Sequence, residues 1–242
     1  VVLAYIENAP DKGAAERTTL KFAVYKNGNW SSPVTVQEDS TADFQPSICE
    51  ADNGRVMVSW LSSDPAAAKS GEPGDYLRTL EVYTAIIDPN TMTVSEEPRL
   101  TTDSYYDFMP SCAYDSETGD RIVYYVKTAS SGSIEDLANP YTNDCAVIYM
   151  LYEGSEGRWL FDKYFDTELD PEDHEQMINE WKGQRFLSSP IPELGIDVPN
   201  ITDFTVTTYN GLAVYAYTID QDSSNDTDFD KEIFVQVYDF KT

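Results

Sequence analysis

One stretch, met three times, limits what this chain can fold into. Asp43-Phe44-Gln45-Pro46-Ser47 leads into a short apolar run, then Asn53-Gly54, then Val56-Met57-Val58-Ser59-Trp60. A second version begins Asp107-Phe108-Met109-Pro110-Ser111, turns at Gly119 and continues from Ile122 to Tyr125. A third reads Asp203-Phe204, then Asn210-Gly211, then Leu212 to Tyr217. Each joins two runs of strand-forming residues through a glycine turn. Trp60, Tyr125 and Tyr217 each stand six positions after their turn glycine.

Around this pair the chain alternates short strands and turns. Leu20, Phe22 and Val24 fall on one face of a strand, and Asn27-Gly28 is a hairpin signal. A strand is expected over 30–37, at a sheet edge because of Pro33. Others are expected over 80–87, 92–100, 145–152, 158–164 and 233–240. Naming the strands of a unit A, B, C and D, strand B ends in an aromatic four times: Tyr5, Trp60, Tyr125 and Tyr217. Strand D opens Gly-x-Trp at Gly28/Trp30 and Gly157/Trp159. The units are then 1–42 (B-C-D), 43–103, 107–166 and 203–242 (A-B-C). Self-similarity at this spacing marks a β-propeller with one sheet per blade. The expected fold is all-β, a single propeller region of about four blade units, partial at both ends and part of a larger propeller. Phe44, Trp60, Phe108, Tyr125, Phe204 and Tyr217 are its structural repeat residues, buried between blades. Residues 167–200 interrupt the rhythm. There 171–182 reads as a short helix, with Asp170 as N-cap and Gly183 ending it.

Asp-Phe-x-Pro-Ser, the glycine turn, Val-x-Val-x-Trp and Gly-x-Trp-Ser-x-Pro together resemble blades of sialidase-type (BNR-like) propellers. That resemblance implies a bacterial or secreted protein that binds or acts on carbohydrate. A true Asp-box, Ser-x-Asp-x-Gly-x-x-Trp, is absent, although 115–119 hints at one. The family's arginine triad, Tyr-Glu pair and acidic proton donor have no counterpart motif. Arg55, Arg78, Arg99, Arg121, Arg158 and Arg185 match none of it.

Forty-three acidic against sixteen basic residues give a net charge of −27. Such a surface repels nucleic acid and anionic lipid, and suits basic proteins or divalent cations. No run approaches the length of a membrane span. The chain carries no initiator Met and no signal peptide, and reads as a mature or trimmed segment. Cys49, Cys112 and Cys145 lie in apolar runs, an odd set with no disulfide framework, and are expected as small buried hydrophobes.

The single histidine, His174, excludes a histidine metal cluster and leaves no route to a serine triad without it. Acidic pairs are too numerous for any one to mark a glycosidase. Asp220, Asp222, Asp226 and Asp228, with Ser224, alternate as calcium-loop oxygens do. Asn225 and Lys231 depart from that motif, and a solvated acidic loop is the alternative. Calcium is the only cofactor suggested. The sequons at Asn29, Asn200 and Asn225 carry little, since Trp30, beside the first, is expected in the core. The expectation is a non-catalytic extracellular module that binds a glycan or a protein on one face. The other readings are a sialidase-related hydrolase and a purely structural module. The B–C loops share one side and are the expected site. Another chain or a further segment is expected to complete the propeller.

Overall fold

The computed structural model describes residues 1–13, 16–38, 41–63, 77–102, 106–128, 145–160, 201–209, 212–220 and 231–239. The expected helix, His174 and Arg185 lie outside them.

Four antiparallel sheets follow one another along the chain. The first holds β1 (Val2–Asn8), β2 (Thr18–Lys26), β3 (Asn29–Trp30) and β4 (Val34–Thr35). The second holds β5 (Asp43–Glu50), β6 (Val56–Ser63), β7 (Leu80–Asp88) and β8 (Thr93–Glu96). The third holds β9 (Tyr106–Tyr114), β10 (Arg121–Thr128), β11 (Cys145–Glu153) and β12 (Arg158–Leu160). The fourth holds β13 (Ile201–Tyr209), β14 (Leu212–Asp220) and β15 (Lys231–Asp239). Strands pair with their chain neighbours, except that β3 and β4 both pair with β2. The strand expected over 30–37 is therefore two short pieces. Pro33 lies between them and has no N–H for the ladder. The expected 92–100 strand shrinks to β8, which stops short of Pro98.

Asn27 and Gly28 both take positive φ (54° and 86°), as the hairpin signal required. Gly54 and Gly119, the turn glycines ahead of Trp60 and Tyr125, are also left-handed (φ 73° and 80°). Gly154 answers a different need. A Cβ there would meet the backbone of Thr118 and Gly119 at 2.6 Å, so only glycine lets these two turns touch.

The sheets stack face to face in chain order. Leu20, Phe22 and Val24 pack on Val58, Trp60, Ala85 and Ile87. Met57, Leu61, Val82 and Ile86, on the other face of the second sheet, share a second core with Phe108, Val123 and Tyr125. Ile122, Tyr124 and Val126 alternate with those and reach the fourth sheet, whose Val206 and Tyr217 belong to the same core. The leading strands meet on the inside: β5 packs on β9, β9 on β13, and β1 on β5. Antiparallel meanders stacked in this way are propeller blades, and the chain is an all-β propeller of four blade units. The outer faces of the first and last blades are open, exposing Val1, Leu3, Tyr25 and Trp30 on one and Ile233, Val235 and Val237 on the other. Trp30, expected in the core, is 51% exposed because no blade among the described residues lies against it.

The strand-B aromatics occupy one place in the ladder. Tyr5 pairs with Lys21, Trp60 with Tyr83, Tyr125 with Ile148 and Tyr217 with Phe234. Each partner is the fourth residue of a nine-residue strand.

The Asp-Phe-x-Pro-Ser motif proves to be a β-bulge. Phe44 pairs with Leu61 and Ser47 with Ser59, so Gln45 and Pro46 both stand opposite Trp60. Phe108 pairs with Val126 and Ser111 with Tyr124, so Met109 and Pro110 stand opposite Tyr125. Gln45 and Met109 take positive φ (48° and 53°), and proline sits where the ladder is broken. The fourth unit has Asp203-Phe204-Thr205 and no proline. Phe204 there pairs with Tyr217 itself, and Asp203 takes the ladder place that Phe44 and Phe108 hold. The register irregularity of this strand falls earlier, between Ile201 and Asp203, and the alignment is shifted by one residue.

Candidate functional site: an axial cavity

The first bulge also ties two blades together. The Gln45 side chain accepts a hydrogen bond from the Met109 N–H at 2.7 Å. Two motif serines extend this tie. The Ser47 hydroxyl accepts from the Cys112 N–H at 3.3 Å, and the Ser111 hydroxyl from the Val206 N–H at 3.2 Å. Cys112 and Val206 occupy equivalent ladder places, so one contact repeats around the axis. Asp43 fastens the first blade to the second. One carboxylate oxygen accepts from the Leu20 N–H (2.7 Å) and the other from the Trp60 indole N–H (3.0 Å). Trp60 is thus committed to the core, and the motif aspartate to structure.

The leading strands enclose a cavity of about 510 Å³. Ile48 and Cys49, Cys112 and Ala113, and Val206 and Thr207 line it from equivalent positions of three blades, and Val2 adds the first. Glu50, Tyr114 and Thr207 bring the polar chemistry. Burial, and then the negative charge of Asp52, push the Tyr114 phenol above its ordinary value, so it is a neutral donor. Aliphatic side chains interspersed with a carboxylate acceptor, a phenol donor and a hydroxyl suit a neutral polar ligand. Among the described lining residues Glu50 is the one carboxylate, and no arginine reaches the cavity.

Two of the described arginines are held elsewhere. Arg55 pairs with Asp52. Arg121 lies 3.8 Å from the centre of the Tyr152 ring and 3.3 Å from Glu97, whose other oxygen accepts from the Trp159 indole.

The cavity lies at the end of the blades nearest the A–B turns. The B–C loops leave the opposite end, and the described cavity is therefore not where the site was expected. Loops 64–76, 129–144 and 221–230 lie outside the described residues. So do Asp222, Asp226 and Asp228 of the proposed calcium loop, while Asp220 ends β14, paired with Lys231. Among the described residues no group of three or more His, Cys, Asp and Glu is placed to hold a metal. No described helix is long and apolar enough to cross a membrane. Of the repeat residues, Trp60, Phe108, Tyr125 and Tyr217 are buried and Phe44 packs partly buried on the same core. The side chain of Phe204 is outside the description. What the sequence reading missed is the bulge and its serine, and the signal was Pro46 and Pro110 inside otherwise strand-like runs.

No protein-family model and no curated protein matches the chain. Solved structures do. One is a thermostable family-43 glycoside hydrolase, at 10% identity and TM-score 0.47, over 98% of this chain and 66% of that one. Another is an α-L-arabinofuranosidase from Lactobacillus brevis, at 11% identity and TM-score 0.47, over 98% of this chain and 68% of that one. A third is the Hadza microbial sialidase Hz136, at 10% identity and TM-score 0.43, over 91% of this chain and 45% of that one. The chain spans about two thirds or less of the length of these structures.

Proposed function

We propose that this propeller is a non-catalytic extracellular module that binds a glycan in its axial cavity. The observation that carries the reading is the described lining itself, in which one carboxylate, one phenol donor and a threonine hydroxyl stand among aliphatic side chains. Hydrolysis of a glycosidic bond by the usual route takes two carboxyl groups across the bond. A sialidase would in addition need cations facing its substrate's carboxylate. A sugar hydroxyl, in contrast, needs only an acceptor such as Glu50 and a donor such as Tyr114. The blade-level resemblance to sialidase-type propellers supports carbohydrate over a protein ligand.

A glycan array, followed by calorimetry on any hit, tests this. Binding is expected in wild type, with affinity falling at least ~10-fold in Glu50→Gln, about the worth of one charge-assisted hydrogen bond. Release of reducing sugar would show a hydrolase instead. A protein that binds no glycan, in a fold that is intact, would return the module to the structural reading. We propose also that a further sheet, from another chain or a further segment, covers the open blade faces. The exposed apolar residues there support this. The acidic loop at 220–228 stays a proposal for calcium, tested by calorimetry with calcium chloride.

A further inference from the structure

The cavity wall holds two cysteines that the glycan reading does not use. Cys49 and Cys112 come from β5 and β9, the leading strands of adjacent blades. Ser47 and Cys49 share one face of β5, two residues apart. The Cys112 sulfur lies 3.9 Å from the Ser47 hydroxyl and 3.6 Å from the Ser47 carbonyl oxygen. It is also 3.7 Å from the carbonyl oxygen of Met57, the residue paired with Cys49 in the ladder. Those contacts set the Cys112 sulfur beside the segment that carries Cys49, and Cys49 packs against the same core as Cys112. Both are free. Cys112 is buried and Cys49 half-buried, and both face a cavity wide enough for a small reagent.

We propose that Cys49 and Cys112 form an oxidisable dithiol that hydrogen peroxide closes to a disulfide joining the second blade to the third. The Cys112 sulfur attacks one peroxide oxygen, the O–O bond breaks, and water leaves once a proton is taken up. The product is a sulfenic acid. The Cys49 sulfur then attacks the Cys112 sulfur, giving up its proton, and the sulfenic oxygen departs as a second water. Two thiols and one peroxide become one disulfide and two waters. The protonation states agree with these roles. Donation to Cys112, and then burial, raise the Cys49 thiol well above its ordinary value. Burial opposes ionisation of Cys112, but the neighbouring Cys49 thiol and the Ser59 and Ser47 hydroxyls bring it below the ordinary thiol value. An acidic thiol beside a resolving one is the arrangement of redox-sensitive pairs.

The proposal is independent of the glycan reading, and its failure would leave that reading as it stands. The test is peroxide treatment of the purified reduced protein, read by intact mass and by peptide mapping. The expected result is a loss of about 2 Da, reversed by dithiothreitol, with the Cys49 and Cys112 peptides linked. Cys49→Ser is expected to stop at a sulfenic acid that dimedone traps on Cys112. Cys112→Ser should give no intramolecular link. Oxidised wild type should also melt at a higher temperature than reduced wild type, because two blades are stapled together. Two unreacted thiols, a link that runs through Cys145, or only intermolecular dimers would each overturn it. The wild-type mass and map need no variant to fold.

Discussion

Two sets of residues occupy the same places in two blades and meet opposite fates. Leu20, Phe22 and Val24 are the third, fifth and seventh residues of β2. Ile233, Val235 and Val237 are the third, fifth and seventh of β15. The first three are 0%, 0% and 7% exposed, and the second three 74%, 62% and 59%. In β7 the same places hold Val82, Thr84 and Ile86, all buried. The chemistry is alike throughout, and only the presence of a following blade differs. The opposite side tells the same story. Leu3 and Tyr25 correspond to Val58 and Ile87, yet the former pair is exposed and the latter buried. Position within a blade selects an apolar residue, and the neighbouring blade supplies the burial. The open faces are therefore interblade surfaces in composition, whatever covers them.

The largest expected effect tests this directly. Phe22→Ala should cost about 3–5 kcal/mol in urea unfolding, as aromatic-to-alanine changes in a packed core do. Val235→Ala, at the matching place, should stay within about 0.5 kcal/mol. Equal losses would show that β15 is covered in solution, and the comparison would break. Next comes Asp43→Ala, which leaves the Trp60 indole and the Leu20 N–H without their acceptor. About 1–3 kcal/mol is expected, because both donors are buried. Ser47→Ala removes a single seam contact and should cost about 1 kcal/mol, visible as a small fall in the urea midpoint.

The smallest effect sharpens the contrast within the fourth blade. Burial raises the Tyr217 hydroxyl to about 12. The folded protein then holds this proton more tightly than the unfolded chain, whose tyrosine ionises near 10. The associated stability is whole below pH 10 and is lost as pH climbs towards 12. Tyr217→Phe should flatten that part of a pH–stability curve. An unchanged slope would mean that the inner face of the fourth blade is as wet as the outer.

Much of the fold was legible because propeller blades repeat. Trp60, Tyr125 and Tyr217 stand at a fixed distance from a glycine, and a period is visible without knowing what it packs against. Gly28 and Gly54 were legible for a backbone reason, since left-handed turns exclude most other residues. The bulge was hidden. Pro46 looked like an ordinary interruption, and its match with Pro110 had no meaning until the ladder showed two residues opposite one aromatic. Trp30 misled for a tertiary reason, because its exposure depends on an absent neighbour and not on its own strand. The cavity was the least legible part. Glu50, Tyr114 and Thr207 come from three different blades, and no local pattern announces that the strands carrying them share an axis.

The serine seam has a direction. Ser47 receives from the blade after it, Ser111 does the same, and Thr205 stands at the next equivalent place on the fourth blade. The wheel therefore has a leading and a trailing side, like roof tiles laid in one sense. A graft of an extra unit taken from this chain would seat behind the fourth in that order, and a reversed one would find neither its acceptor nor its donor aligned.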